Sequence, residues 1–144
     1  MHVKPYQRQV YYYETDQMGI VHHSNYVRWF EEARIDFLSQ AHLDYAELEH
    51  LGILSTILGY SCTNRKPARF GDTFTIEVTP GGFNGVRISF FYNVYRAADH
   101  TLLATGETRH CFVNAELMPI NLTHKFPEIS AALRKALPID DANS

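Results

Sequence analysis

Cysteine is scarce in this chain. The sequence has two cysteines, Cys62 and Cys111, and each stands alone. Such a pair predicts neither a disulfide framework nor a zinc site built from paired cysteines. Because both lie in strand-like runs, we expect them to be buried as small hydrophobic side chains.

Clusters of like charge and long apolar runs are also missing. Lys and Arg number 13 and Asp and Glu 16, and the two signs are interspersed, so the net charge is −3 and the isoelectric point near 6.2. This balance argues against nucleic acid or an anionic membrane as a partner. No apolar stretch is long enough to cross a bilayer, and residues 1–13 lack the apolar core of a signal peptide. We therefore expect a cytoplasmic protein that neither binds nucleic acid nor inserts stably into a membrane.

The chain does have enough hydrophobic material for one core. It has 144 residues, of which 45% are hydrophobic, and it shows no internal repeat and no domain linker. Length and composition together predict a single domain spanning residues 1–144.

The strongest periodic signal predicts a long helix of about four turns, which includes "VRWFEEARIDFLSQ". Its apolar residues recur at helical spacing and form one stripe, made of Tyr26, Phe30, Ala33, Phe37 and Ala41. Ser24 or Asn25 is the expected N-cap. We expect the charged side chains to lie mostly off the stripe and to pair with one another; they are Arg28, Glu31, Glu32 and Arg34. The acids of this group are interpreted as structural.

A second, shorter helix and a terminal helix are also predicted. In "LDYAELEHLG" the spacing of Asp44 and Glu47 is that of a capping box, and Gly52 suits the C-terminal stop. "PEISAALRKAL" places Pro127 in the first turn of the last helix.

Five runs have the composition or alternation of β-strands. One, "QRQVYYYET", precedes the long helix, and four follow residue 53, separated in part by turn sequences such as "PGGFNG". In the last run Ala104, Gly106 and Thr108 share one face. Small side chains at these positions predict that the long helix lies close against the sheet. An antiparallel sheet with a helix on one face is an α+β architecture.

Polar residues crowd into "TDQMGIVHHSNY", residues 15–26, where a loop becomes the long helix. The first turn of a helix offers unpaired N–H groups and a partial positive charge, which can polarise a carbonyl. A carboxylate nearby, here Asp16, can act as general base or nucleophile. The alternative interpretation is structural: Asp16 caps a turn, Gly19 supplies a positive φ, and His23 is a solvated loop residue.

Other chemistries fit the residues less well. His22 and His23 are adjacent, so their side chains are expected to point in opposite directions, and no metal site is predicted. A serine nucleophile would need Ser24 activated by its neighbour His23, a geometry that is rare at a helix start. The glycines near residue 82 lie between two strands and do not form a nucleotide-binding loop.

The stretch "TDQMGIVHHSNYVRWFEEAR" resembles the signature of hotdog-fold acyl-CoA thioesterases of the 4-hydroxybenzoyl-CoA thioesterase class, in particular the YbgC-like branch. The family pattern places Asp, Gly, a β-branched pair, two aromatic or His positions and Tyr at fixed spacing. Here those places are filled by Asp16, Gly19, Ile20, Val21, His22, His23 and Tyr26. The family often has Tyr where this chain has His22. "KPARFGD", residues 66–72, also resembles the family's sequence.

The resemblance implies a hotdog fold, in which a five-stranded antiparallel sheet wraps around a long central helix. It also implies a homodimer or a dimer of dimers with active sites at the subunit interface. Asp16 would be the catalytic carboxylate and the backbone N–H near His23 the oxyanion donor, with the His23 side chain orienting Asp16 or a water.

The resemblance further implies an acyl-CoA substrate and no separate cofactor. Gly19, Val21, His22, Ser24 and Tyr26 would line the substrate site, although Tyr26 also suits the core stripe. A basic group could meet the phosphates of coenzyme A or could simply be solvated; it consists of Arg65, Lys66 and Arg69.

Two rival functions stay open at this point. A hotdog dehydratase or hydratase would need a His–acid pair, either His23 with Asp16 or His23 with Glu32 across a dimer. A non-catalytic acyl-CoA-binding protein would need only the pocket.

Overall fold

The computed structural model of the protein describes residues 3–138. The strands are β1 (Tyr6–Gln9), β2 (Leu54–Asn64), β3 (Thr73–Gly81), β4 (Arg87–Arg96) and β5 (Leu102–Val113). The helices are α1 (Ser24–Gln40), α2 (Tyr45–His50), α3 (Leu122–Lys125) and α4 (Pro127–Ala136), with a 3₁₀ turn at Tyr12–Glu14. The predicted order of one strand, a long helix, a short helix, four strands and a terminal helix is confirmed. The short helix α3 was not foreseen.

The five strands form one antiparallel sheet in the order β1-β3-β4-β5-β2. Strands β3, β4 and β5 make the predicted meander. Strand β2 lies beyond β5 and β1 lies beyond β3, so the chain places its first two strands at opposite edges. The sheet with α1 on one face confirms the predicted α+β layers.

Helix α1 buries the predicted stripe. Its five apolar residues are all at most 5% exposed. Trp29, which the stripe did not include, is fully buried and stacks on Phe74 of β3, with ring centroids 4.0 Å apart. The side chains of Phe30 and Tyr92 stack in the same way at 4.4 Å. Aromatic contacts therefore hold the helix against the middle of the sheet.

The small-residue face of β5 lies against α1, as predicted. A Cβ atom built on Gly106 would collide with the ring of Phe30. Ala104 and Thr108, on either side, are buried. The absence of a side chain at Gly106 is therefore what lets the Phe30 ring reach the sheet.

Three predictions at the ends of elements are wrong. His23 occupies the N-cap position of α1 and its side chain makes no capping bond, while Ser24 and Asn25 lie inside the helix. Asp44 is the N-cap of α2, but its side chain makes no capping hydrogen bond. Pro80 and Gly81 belong to β3, paired with Phe90 and Ser89, so the turn begins later than "PGGFNG" indicated.

The first strand is also shorter than predicted. It ends at Gln9, and residues 12–14 form the 3₁₀ turn instead of continuing the strand. The cause is tertiary: the Glu14 carboxylate is drawn inward and accepts a hydrogen bond from the backbone N–H of Tyr11 at 2.8 Å.

Three predictions about the placement or pairing of side chains also need correction. Arg34 is not on the outer face of α1: it is 4% exposed, and its Nη1 lies 3.4 Å from His110 Nε2. The charged residues of α1 do not pair among themselves in the described chain; Glu32 binds Arg8 and Tyr6 of β1 instead. Cys111 is buried as expected, whereas Cys62 is exposed because β2 is an edge strand.

Within residues 3–138 no helix is both long enough and apolar enough to cross a membrane.

Candidate active site

The loop before α1 folds into a tight hairpin. The backbone N–H of Asp16 donates to the carbonyl of Ile20 at 2.9 Å, and the N–H of Gly19 donates to the carbonyl of Asp16 at 2.9 Å. Gly19 has a φ of +75°, the left-handed conformation that glycine adopts without steric cost. Thr15 and Val21 pair as an isolated antiparallel bridge. The predicted positive φ at Gly19 is confirmed, and it places Asp16 at the tip of the hairpin.

The Asp16 carboxylate has a structural contact and a free oxygen. Oδ1 accepts a hydrogen bond from the backbone N–H of Met18 at 2.8 Å, so the side chain does close the turn. Oδ2 has no hydrogen-bond partner among residues 3–138, and the residue is only half-buried. One oxygen therefore fixes the orientation of the carboxylate while the other stays open to water or substrate.

Glu14 anchors this hairpin to the body of the protein. Its carbonyl accepts hydrogen bonds from the His22 N–H at 2.8 Å and from the Asn25 side-chain amide at 2.9 Å. Val21 adds a bond from its N–H to the Ala68 carbonyl at 2.8 Å. The position of the loop is thus set by buried polar contacts, and sequence reasoning missed both Glu14 and Asn25.

The Glu14 carboxylate is itself a buried junction. Two nitrogens of Arg8 reach it at 3.0 and 2.7 Å, and Trp29 Nε1 donates to it at 2.8 Å. Burial acts to raise the pKa of Glu14, but Arg8, Trp29 and the Tyr11 N–H outweigh it and hold the pKa below its ordinary value. No local pattern in "YYYETD" distinguishes this acid from a surface residue, because its partners lie on other elements.

The start of α1 presents one backbone donor without a protein acceptor. The N–H groups of Asn25 and Tyr26 donate to the carbonyls of His22 and His23, and the Ser24 N–H points at His22 Nδ1 at 3.2 Å. In the described part of the chain the His23 N–H has no acceptor. This donor, at the positive end of the helix, is the kind of group that binds an oxyanion.

His22 and His23 do not diverge as expected. Their rings lie 4.2 Å apart at 31°, because His23 already has helical backbone angles. The Ser24 hydroxyl lies 2.9 Å from His22 Nδ1, so the serine has a histidine partner, although not the one considered from the sequence. All three side chains are exposed. No hydrogen bond joins His23 to Asp16 within residues 3–138.

A cleft runs beside this loop. It is lined on one side by Ile20, Val21 and Tyr26 and on the other by residues 64–67, which include Arg65 and Lys66. The backbone N–H groups of Arg65 and Lys66 donate to the Leu103 carbonyl at 2.8 and 3.1 Å, while their side chains are exposed. The cleft therefore joins an apolar wall to a basic rim.

Tyr26 serves the core and the cleft together. It is 3% exposed, and its ring packs edge-on against Trp29 at 5.0 Å. Burial, helped by the nearby Cys62, raises the pKa of Tyr26 to about 12. Its hydroxyl is thus protonated at neutral pH and can donate a hydrogen bond.

Four of the predicted substrate residues lie outside the cleft lining; they are Gly19, His22, Ser24 and Arg69. Arg69 is joined to the loop only through its backbone, in an isolated bridge with Ile20, and its side chain is exposed. Across residues 3–138 no group of three or more His, Cys, Asp or Glu side chains is arranged to hold a metal ion.

Comparison with known proteins identifies the family. The profile of the thioesterase-like superfamily matches residues 10–137. A putative acyl-CoA thioesterase of Bacillus subtilis, YneP, is 30% identical over 136 residues, covering 94% of this chain and 99% of that protein. The acyl-CoA thioester hydrolase YbgC of Escherichia coli O157:H7 is 28% identical over 69% of this chain and 73% of its own length.

The fold agrees with this result. The crystal structure of a DHNA-CoA thioesterase from Staphylococcus aureus superposes with a TM-score of 0.86 and 27% identity, covering 91% of this chain and 88% of that one. The long helix, the five-stranded antiparallel sheet and the Asp16 loop thus occur together in a hotdog fold, and this chain belongs to the thioesterase-like superfamily of thioester hydrolases.

Proposed function

We propose that the protein hydrolyses an acyl-coenzyme A to a free carboxylic acid and coenzyme A. The observation that carries this proposal is that one loop holds both a half-buried carboxylate, Asp16, with one free oxygen, and an unoccupied N–H at the start of α1. The names of the relatives point to the same substrate class.

The proposed chemistry follows from these two groups. The thioester carbonyl accepts a hydrogen bond from the His23 N–H, which stabilises the negative charge that develops on its oxygen. Asp16 removes a proton from water as the water oxygen attacks the carbonyl carbon, or attacks that carbon itself to form an anhydride that water then opens. The C–S bond breaks, and coenzyme A leaves as a thiolate that is protonated from solvent. Because a thioester is already activated, the reaction needs no metal and no further cofactor.

The cleft beside the loop would bind the rest of the substrate, although neither Asp16 nor His23 is among its lining residues. Val21 and Tyr26 offer an apolar wall for the acyl group. Arg65 and Lys66 are exposed at the rim, and neither forms a salt bridge in the described chain, so their charges are available to the phosphates of coenzyme A. Arg69 would contribute from farther along the surface. His22 and Ser24 would border the site from the helix start.

The decisive experiment replaces Asp16 by Asn. The amide keeps the size of the side chain and an oxygen that can accept the Met18 N–H, so the hairpin should survive. Hydrolysis of acyl-CoA, followed with a thiol-detecting dye, should fall by about 10²–10⁴-fold, while binding of the same compound persists. The matched control is Asp44→Asn, which alters an exposed acid at the start of α2 and should leave turnover unchanged. A D16N enzyme within threefold of the parent would place the chemistry elsewhere.

Ser24 is the second candidate nucleophile, because of its contact with His22. The Ser24 N–H also points at Nδ1, so this nitrogen is an acceptor and the hydroxyl donates to it. Ser24→Ala tests whether Ser24 is the nucleophile. Because the proposed chemistry assigns the attack to water or to Asp16, we expect the turnover of this variant to stay within a few-fold of the parent. His23→Ala, measured in parallel, tests whether its side chain orients Asp16 or a water.

The rival chemistries receive less support from the contacts. Glu32 is bound to Arg8 and Tyr6 at 2.8 Å each, so it is engaged within its own chain and is a poor acid partner for a dehydratase. A non-catalytic acyl-CoA-binding protein would bind the substrate but release no thiol. The assay above therefore separates all three functions when double-bond formation is monitored as well. A cytoplasmic location stays a prediction.

A further inference from the structure

A second polar cluster lies in the core, away from the Asp16 loop. Arg34 of α1 and His110 of β5 are 4% and 0% exposed. Arg34 Nη1 lies 3.4 Å from His110 Nε2, which is long for a hydrogen bond, and no carboxylate lies within salt-bridge distance of Arg34 in residues 3–138. A buried guanidinium without an anionic partner is costly, because its charge has lost the surrounding water. The proposed thioesterase chemistry makes no use of this charge.

The polar side chains that the structure places around Arg34 are neutral. The Tyr92 and Thr108 hydroxyls are 2.7 Å apart, and the Thr108 hydroxyl lies 2.8 Å from His110 Nε2. Burial, followed by the charge of Arg34, lowers the pKa of His110 to about 3, and burial raises the pKa of Tyr92 above its ordinary value. Both groups are therefore uncharged at neutral pH, and neither compensates the guanidinium.

The hydrogen bonds of His110 leave one hydroxyl donor beside this charge. A guanidinium can only donate, so His110 Nε2 accepts from Arg34 and the neutral ring carries its proton on Nδ1. Nδ1 lies 3.3 Å from the Ser55 hydroxyl, which accepts that proton in a hydrogen bond. The Ser55 hydroxyl thus keeps its own proton free to donate.

Arg34 and Ser55 both line a small cavity between α1, α2, the start of β2 and α4. The interior volume that the centre of a water-sized particle can occupy is about 20 Å³, which is room for one such particle. Apart from Tyr45, the rest of the wall consists of leucine, isoleucine and phenylalanine side chains. Tyr45 of α2 and Ile129 of α4 are only half-buried, so a small ion can reach the cavity between them.

We infer that this cavity is a chloride site, in which a single anion accepts hydrogen bonds from the Arg34 guanidinium and the Ser55 hydroxyl. A chloride ion is little larger than a water molecule, whereas anions of several heavy atoms exceed the space. A water molecule would fill the cavity but would leave the charge of Arg34 without a counter-ion. The site shares no lining residue with the cleft beside the Asp16 loop, and the inference does not depend on the proposed hydrolysis.

The first measurement locates the anion in the parent protein. Crystals grown in sodium bromide serve this purpose, because bromide replaces chloride and scatters X-rays anomalously. We expect an anomalous peak within hydrogen-bond distance of both the Arg34 guanidinium and the Ser55 hydroxyl. A cavity without a peak would overturn the inference, even if bromide is found at the exposed side chains of Arg65 and Lys66.

The second measurement compares thermal unfolding in sodium chloride and in sodium fluoride at equal ionic strength. Fluoride holds its water too strongly to enter an apolar cavity, so it controls for general salt effects. Arg34→Met keeps most of the side-chain volume and removes the charge that attracts the anion. At roughly ten times the dissociation constant, chloride should raise the Tm of the parent by about 3–6 °C relative to the response of R34M. In fluoride R34M should be as stable as the parent or more so, since no buried charge is left uncompensated.

Arg28→Met is the matched control, because it makes the same change at an exposed position of α1. This variant should keep the full chloride effect of the parent. Equal responses of the parent and R34M to chloride would overturn the inference, and so would loss of the effect in R28M, which would assign it to surface charge. If R34M does not fold, the bromide measurement on the parent decides: a peak at Arg34 supports the site, and its absence rejects it.

Discussion

At the scale of single residues, the Asp16 loop depends on one buried charge. Glu14 is 4% exposed and joins Arg8, Trp29 and the Tyr11 backbone, while its own carbonyl holds His22 and Asn25. The Asp16 hairpin and the helix start are therefore tied to the same buried group. Removing its charge should affect both stability and the geometry of the site.

Glu14→Gln should lower the free energy of unfolding by roughly 1–3 kcal/mol near pH 7, because the hydrogen bonds from Arg8 and Trp29 lose their charged acceptor while Arg8 keeps Glu32 as a counter-ion. The folded pKa of Glu14 lies below its ordinary 4.5, so its contribution is present above pH 4.5 and is lost as the pH falls through the folded value. Urea unfolding at several pH values should show that the difference in free energy of unfolding between variant and parent becomes smaller in acid. If that difference in free energy stays constant across the pH range, the ionised Glu14 carboxylate is not the source of the stability.

His110 should affect the stability over a different pH range from Glu14. Its pKa is about 3 in the folded protein against an ordinary 6.5, so below pH 6.5 the unfolded chain binds a proton that the folded chain does not. The parent should lose up to roughly 4–5 kcal/mol of stability between pH 6.5 and 3 from this residue alone. His110→Asn cannot titrate and should show a flatter pH profile over that interval. An unchanged slope would indicate that acid unfolding has another origin.

At the scale of elements, the contact between α1 and β5 decides how deeply the helix sits. Gly106 pairs with Tyr92 across the sheet, and the Phe30 ring stacks on Tyr92 directly above. A methyl group added at Gly106 would overlap with that ring. The helix carries the His23 N–H at its start, so a displaced helix also displaces the proposed oxyanion donor.

Gly106→Ala should therefore cost about 1–3 kcal/mol of stability and reduce turnover. Gly59→Ala on the neighbouring strand is the matched control, because the added Cβ would meet only the flexible end of the Arg109 side chain. Thermal unfolding and the thioesterase assay on both variants test this. Equal melting temperatures for the two would mean that the helix accommodates the methyl group without strain.

At the scale of the whole molecule, β2 leaves a long edge unpaired. It has 11 residues and pairs only with β5 among the described strands. Three large apolar side chains near its centre are 45–59% exposed, namely Ile57, Leu58 and Tyr60. Exposed apolar strand edges invite pairing with another chain. A symmetric dimer, or a dimer of dimers, remains our prediction, with β2 as the edge that a second copy covers.

Light scattering at micromolar concentration should give at least twice the chain mass of 16.6 kDa. Leu58→Lys places a charge on the exposed edge and should shift the protein toward the monomer. Leu117→Lys, at a leucine in the loop after β5 that is still more exposed than Leu58, should not change the mass. A monomeric parent would contradict the prediction.

The sequence by itself determined the elements other than α3, the buried stripe of α1 and the turn at Gly19. Each of these depends on neighbours within a few positions, such as helical spacing, strand alternation and the positive φ of Gly19. The resemblance of residues 15–34 to a known signature supplied the family and the hotdog fold, which the comparisons confirm. The catalytic role of Asp16 stays a prediction.

Only the tertiary structure decided what depends on residues far apart in the chain. It placed β1 and β2 at opposite edges of the sheet, although they flank the helices in sequence. It turned Arg34 inward, where a histidine 76 residues away accepts its hydrogen bond. The charge of Arg34 suggested the outer face, although its spacing from Phe30 and Phe37 is that of the buried stripe. It made Glu14 a buried junction through Arg8 and Trp29. Local periodicity reports which face of an element is apolar, but the partner of a buried charge lies on another element, and only folding brings the two together.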